Sequence, residues 1–322
     1  MAVAEPSAER LQSFVEAYEI PHGYASAEEM LAASAADAVY VAVPNRFHAP
    51  YSLAALKAGK HVILDKPFAM NASEATAVVA AAEAAGKVFM VGMNQRFRED
   101  SQKIQGLVKQ GVLGEIYHGK AFWYRRSGIP RMGTWFGNKE LAGGGALLDI
   151  GVHLLDLCLY CMGNFEPVAV SGATYTKFGN RGLGEGGWGQ SDRDATMPFD
   201  VDDFASAMIR MRNGATVSLD VSWACHAEEA NRMDVHLYGT EGGASLYPAK
   251  LFRNDPLRTD YDVIDNVNAP LTCGHGCRFQ NFFNAIRGTE EPMVTTQEAL
   301  TVQKILDGIY ESARVGREVA IG

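Results

Sequence analysis

Long apolar runs are missing from this chain of 322 residues. No uninterrupted stretch approaches the roughly 18 residues that a membrane-spanning helix needs, so no membrane partner is expected. A basic stripe is missing too. The chain carries 29 Lys and Arg against 38 Asp and Glu, a formal net charge of −9, and nucleic-acid binding would need clustered cations. No positively charged lead followed by an apolar run opens the chain, so no signal peptide is expected and a cytoplasmic location is. Cysteine is scarce and odd in number, at five, which argues against a disulfide framework. Cys158 and Cys161 read as small core side chains. Cys273-Gly-His275-Gly-Cys277 reads as a glycine-rich loop ahead of a helix; its spacing is not a usual zinc pattern, and no metal is expected. What the chain does have is apolar content, 47% of its residues, enough for the cores of two domains.

In the first third, short apolar runs alternate with amphipathic segments. Ala38–Val43 reads as a buried strand stopped by Pro44-Asn45, followed by a helix from His48 to Ala58. His61–Leu64 is the next strand, closed by Asp65-Lys66-Pro67. An alanine-rich helix, capped by Asn71 or Ser73, then runs to Gly86. Val88–Gly92 is a third strand, followed by Asn94-Gln95-Arg96-Phe97. Continuous apolar strands between helices predict a parallel sheet covered on both faces. Ligands of such sheets bind beyond the carboxyl ends of the strands. Pro44-Asn45-Arg46, Asp65-Lys66-Pro67 and Asn94-Gln95-Arg96 lie at those ends.

Further along, Gly143-Gly144-Gly145 leads into a helix carrying Asp149 and His153. Residues four apart share a helix face, so the carboxylate and the imidazole project into one space. The glycines allow close approach to something bulky. The pair suits proton transfer; a capped helix with a satisfied core histidine is the equal alternative.

From Phe97 onward the pattern changes. Glu99–Gln110 reads as a linking helix and Tyr117–Tyr124 as an alternating strand. After the glycine-led helix, strands are expected at Val168–Tyr175, Phe204–Met211, Ala215–Ala224 and Arg232–Tyr238. Asn213-Gly214 marks a hairpin. Strands in succession predict a mainly antiparallel open sheet whose half-apolar far face meets another subunit. Thr296–Val315 has helical periodicity. Gly179–Gln190, with Trp188, is either a flexible linker or a loop near the substrate.

Pro44-Asn45-x-x-His48, Asp65-Lys66-Pro67 and the Gly143-Gly144-Gly145…Asp149…His153 helix together resemble the Gfo/Idh/MocA oxidoreductases, relatives of glucose–fructose oxidoreductase and inositol dehydrogenase. The resemblance extends through Trp135-Phe136, Asp200–Phe204, Asn213–Val217, Tyr238–Gly242 and Tyr310–Arg314. Asp65 stands where the family usually has Glu. The resemblance implies an α/β architecture: a Rossmann-type dinucleotide-binding domain over residues 1–96, then an α+β substrate-binding and oligomerisation domain over 97–322. It implies hydride transfer between a nicotinamide and a sugar, polyol or inositol-like alcohol, and a homodimer or homotetramer formed through the open sheet. Lys66, Asp149 and His153 would be catalytic. Glu5, Pro44, Asn45, His48, Asp65, Lys66 and Gln95 would hold the cofactor. Arg96, Tyr124 and Arg126, with Asp149 and His153, would contact substrate. Glu5, at the end of what would be the second strand of the family fold, favours NAD over NADP, because a carboxylate accepts from a 2′-hydroxyl and repels a 2′-phosphate. The glycine-rich phosphate loop and its strand would precede Met1. A misplaced start, a truncation or a lost cofactor site would each account for that, and weak NAD binding by these 322 residues is expected. A non-catalytic sugar-sensing protein of the same fold is the alternative function.

Overall fold

The computed structural model describes residues 1–189, 191–254, 261–265 and 267–322. The amino-terminal third forms two small parallel sheets. Strand β1 (Ala2–Ala4), helix α1 (Ala8–Ala17), strand β2 (His22–Tyr24) and helix α2 (Ala27–Ala33) form the first unit, with β1 and β2 paired in parallel. Strand β3 (Ala38–Val41), helix α3 (His48–Lys57), strand β4 (His61–Leu64), helix α4 (Ala72–Ala85) and strand β5 (Phe89–Val91) form the second, in the order β3-β4-β5. No ladder joins β1 to β3 among the described residues, so the two units are separate sheets. The strands are apolar because both faces are covered: Val62, Ile63, Leu64, Phe89, Met90 and Val91 are all buried. Asn71 caps α4 by accepting from the Glu74 amide, and Gly86 ends it in the left-handed conformation.

Helix α5 (Glu99–Lys109) leads into strand β6 (Ile116–Arg125). Short helix α6 (Lys139–Ala142) precedes the triple glycine, a π-helical turn over Leu147–Gly151 and helix α7 (Val152–Met162). This stretch, Lys139–Met162, is long and apolar enough to cross a membrane by composition, yet 94% of its most apolar window is buried inside the protein. It is a core helix.

Strands β7 (Pro167–Tyr175), β8 (Phe204–Met211), β9 (Thr216–Ser222), β10 (Asn231–Gly239), β11 (Gly243–Leu246), β12 (Ala249–Asn254) and β13 (Tyr261–Asp265) follow. Helices α8 (Arg278–Ile286) and α9 (Thr296–Val315) and strand β14 (Val319–Ala320) close the chain. The large sheet has nine strands in the order β13-β12-β11-β10-β6-β9-β8-β7-β14, all antiparallel except β6 with β9. Helices α7 and α9 cover one face. Gly119 of β6 meets α7 so closely that a Cβ there would lie 2.6 Å from the Cys158 sulfur. Cys158 and Cys161 are core residues, as expected. Strands β11, β12 and β13 were not foreseen, because the segment mixes charge and turn residues without a sustained period, whereas helix α8 follows the Cys273–Cys277 loop as expected.

Candidate active site

The site is built from the turns after β3 and β4 and from the glycine-led helix. His48, at the start of α3, is buried and stitches the turns together, with Nδ1 2.7 Å from the Pro67 carbonyl and Nε2 2.9 Å from that of Val43. Asn45 donates to the Ala142 carbonyl at 2.8 Å and so ties the β3 turn to α6. Arg46 reaches Glu140 of the same helix. These contacts fix Lys66, whose peptide bond to Pro67 is cis, at the mouth of the second domain.

The triple glycine has its own reason. A Cβ on Gly145 would lie 1.8 Å from the Asp202 carbonyl oxygen, and one on Gly144 2.0 Å from the Tyr310 hydroxyl. The bulky neighbours are therefore parts of this chain. Asp202 accepts from the Gly145 and Leu147 amides at 2.8 and 2.9 Å and from the Tyr310 hydroxyl at 2.7 Å, capping the helix from a distant strand approach. The π-turn that follows, a feature common at functional sites, turns Asp149 and His153 into one pocket.

In that pocket the Lys66 ammonium donates to Asp149 Oδ1 at 2.5 Å and to the Asp149 carbonyl at 2.8 Å. The buried Trp223 indole donates to Asp149 Oδ2 at 2.8 Å. Burial pushes the Asp149 carboxyl up, but Lys66 and the two hydrogen bonds outweigh it and hold the group below its ordinary range. Burial, helped by the Lys66 charge, pushes His153 down to about 3, so the imidazole is neutral at physiological pH. Its Nδ1 is buried and has no hydrogen-bond partner among the described residues. A cavity of ≈ 430 Å³ opens here, lined by Trp123, Arg125, Asp149, His153, Trp188 and Asn231 among others. The loop carrying Trp188 thus borders the pocket; Gln190, at its end, lies outside the described residues. The arrangement offers a cation for a developing alkoxide, a neutral base and a carboxylate that holds the cation.

The remaining expected residues divide. Glu5 lies just past β1, partly exposed, with Oε1 accepting from the Ser7 amide and from Arg10. Asp65 is engaged by the Tyr40 hydroxyl at 2.7 Å and by Arg278 at 3.1 Å. Gln95 accepts from Tyr247 at 3.3 Å. Pro44 opens the turn that carries Asn45.

Three expected substrate contacts need correction. Arg96 is 0% exposed and spends its guanidinium on Asp156, Glu298 and the Met293 carbonyl, so it fastens α7 to α9 and cannot reach a ligand. Tyr124 points to the opposite face of the sheet, stacked between Phe122 and Phe204. Arg126 is exposed and holds the carbonyls of Ala227 and Glu228. The pocket side of β6 is instead formed by Trp123 and Arg125. The packing of β6 sets its phase: Gly119 and Ala121, buried on the α7 side, share the parity of 123 and 125.

Both halves of the chain match family models. Residues 1–93 match an oxidoreductase family with an NAD-binding Rossmann fold, and residues 101–245 match the GFO/IDH/MocA C-terminal domain. D-glucoside 3-dehydrogenase of Escherichia coli K12 is 33% identical over 325 residues, covering 100% of this chain and 90% of that protein. The chain belongs to the Gfo/Idh/MocA oxidoreductase family. A 1,5-anhydro-D-fructose reductase from Ensifer adhaerens is 30% identical over 327 residues, covering 100% and 90%. A levoglucosan dehydrogenase solved with NADH and levoglucosan superposes with a TM-score of 0.82 at 25% identity, covering 99% of this chain and 89% of that one.

Proposed function

We propose that this family member oxidises a secondary hydroxyl of a sugar, polyol or inositol-like ring with NAD, working with Lys66, Asp149 and His153. The observation that carries the reading is the Lys66 ammonium locked onto Asp149 beside a neutral, buried His153. Relatives named as a glucoside dehydrogenase, a levoglucosan dehydrogenase and an anhydrofructose reductase support a sugar substrate. The residues present fit a dinucleotide at its two ends. A partly exposed Glu5 carboxylate follows β1 where an adenosine ribose would bind, and Lys66 stands at the carboxyl end of β4 where a nicotinamide would. The nicotinamide, when bound, accepts the hydride from the alcohol carbon. Lys66 holds the substrate oxygen and stabilises the negative charge that grows on it. His153 takes the hydroxyl proton, and Asp149 holds the Lys66 ammonium in place. Pro44, Asn45, His48, Asp65 and Gln95 act by holding the strand ends in register. We place the boundary between the two functional units at residues 96 and 97, and the protein in the cytoplasm.

The test is NAD reduction with a panel of glycosides, free sugars and inositols, followed by product analysis. A ketone product formed with stoichiometric NADH is expected. Binding of a sugar without turnover by the folded protein, with NAD present at saturation, would favour the sensing role. Glu5→Ser should narrow the preference for NAD over NADP; use of NADP in preference by the unaltered chain would remove Glu5 from the ribose.

A further inference from the structure

Arg125 is a charged residue of the pocket wall that the reaction just described does not use. It ends β6 with its guanidinium carbon 4.4 Å from the Trp123 ring and 5.6 Å from that of Trp188. Both indoles are themselves pinned. Trp123 donates to Asn231 and Trp188 to the Gly128 carbonyl, each at 2.8 Å. A guanidinium donates in its own plane, and aromatic rings cover its faces. Stacking therefore leaves the N–H rim open to the cavity that also holds Asp149 and His153. Among the described residues, no carbonyl or carboxylate accepts from that rim, and no salt bridge involves it. Buried Arg96 gives a direct contrast, since it satisfies its donors with two carboxylates and a carbonyl.

Charge points the same way. Within the cavity wall Asp149 is neutralised by Lys66, and His153 is uncharged. Asp149 is thus shared by two cations, Lys66 in contact and Arg125 at longer range, and Arg125, half removed from water and without a direct partner, adds positive charge to a pocket proposed to receive an oxidised nicotinamide that also carries it. Leaving such a guanidinium unpaired is costly, and a planar oxyanion accepting two parallel N–H bonds is its best complement.

We propose that Arg125 is a specificity-determining residue that binds an oxyanionic substituent of the substrate, a carboxylate or a phosphoryl group on the sugar ring, with Trp123 and Trp188 holding the guanidinium flat. The inference rests on the sugar-oxidising reading of the same pocket. It goes further in naming the charge class of the substrate, which the names of the glucoside dehydrogenase, levoglucosan dehydrogenase and anhydrofructose reductase relatives do not specify.

The closing experiment has two arms on the whole chain. In the first, tryptophan fluorescence, to which Trp123 and Trp188 of the pocket contribute, reports binding of D-glucose, D-glucuronate and glucose 6-phosphate, with inorganic phosphate as the control for a bare anion. At least one of the two anionic sugars should bind tenfold or more tightly than glucose; which one separates carboxylate from phosphoryl recognition. Arg125→Gln should bring its affinity to that of glucose, while Arg125→Lys should keep part of the difference. In the second arm, kcat/KM with NAD is compared for glucose and for whichever anionic sugar binds more tightly in the first arm, and the anionic sugar should lead by a similar factor through a lower KM. Equal binding of neutral and anionic sugars, or a preference that survives Arg125→Gln in a folded protein, overturns the proposal. Tighter binding of inorganic phosphate than of either anionic sugar also overturns it. Turnover of neutral and anionic sugars at equal efficiency contradicts this inference and leaves the sugar-oxidising reading intact. Selective anionic binding without turnover of any sugar does the reverse.

Discussion

His153 sits where burial and a neighbouring ammonium act in the same direction, and its ring therefore stays neutral down to about pH 3. An imidazole in that state has a lone pair for the substrate proton across the whole physiological range. His153→Asn keeps the size and a hydrogen bond but removes the base. General acid–base catalysis is worth about 10²–10⁴-fold, so turnover should fall by that order with NAD affinity little changed. An unaltered rate would make His153 structural. The same depressed value has a consequence for stability. The unfolded chain, titrating near 6.5, takes up the proton before the folded one does. The contribution of this group is therefore full above about pH 6.5 and is lost progressively as pH falls toward 3. Urea midpoints at pH 7, 5.5 and 4 should fall less steeply for His153→Asn than for the unaltered chain; parallel declines would contradict the burial of a neutral ring.

At the scale of elements, the glycine-led helix depends on two groups far away in sequence. Asp202 satisfies the first amides of the helix, and Tyr310 of α9 braces Asp202. Gly145→Ala would drive a methyl group to 1.8 Å from the Asp202 carbonyl. Overpacking of this kind costs about 1–3 kcal/mol or more, and the displaced turn carries Asp149. We expect a lower thermal midpoint and a loss of turnover together. Gly145→Ala with normal stability would mean that the backbone there can relax. The glycine run and the spacing of Asp149 from His153 were readable because they are local. The Asp202 cap was not, since 57 residues separate it from Gly145. Strand β6 shows the opposite case. Its existence was legible from alternation, but its phase was not fixed, and the residues expected to meet substrate, Tyr124 and Arg126, fall one position away from Trp123 and Arg125. A one-residue shift along a strand exchanges its two faces.

Across the whole molecule, the large sheet leaves one face without helices among the described residues. Register places Tyr175, Phe204, Tyr124, Phe122, His236 and Tyr238 in a stripe across it, and Tyr175 and Met208 are 45% and 41% exposed. An apolar face of this kind suits a second copy of the chain, and a homodimer or homotetramer through it is the assembly we propose. Met208→Glu with Tyr175→Glu should shift sedimentation toward the monomer while leaving the circular dichroism unchanged. An unchanged sedimentation coefficient would move the interface elsewhere. The two-part architecture was legible because buried parallel strands and alternating antiparallel ones leave different patterns. The pairing order of the large sheet was not, because β6 lies between β10 and β9, which are remote from it in the chain. Nor was the inward turn of Arg96, whose partners Asp156 and Glu298 are brought to it only by the folded core.

The central claim is that Lys66 provides the charge on which oxidation of the alcohol depends. Lys66→Met keeps much of the side chain's length and removes its charge and donors. Loss of an oxyanion donor costs about 10²–10³-fold in other enzymes. An interaction made mainly in the transition state, once removed, lowers kcat and kcat/KM together. Steady-state NAD reduction by Lys66→Met, with circular dichroism as the folding control, should show both constants reduced by at least about 10²-fold in a folded protein. A folded Lys66→Met variant with near-normal turnover would contradict the account.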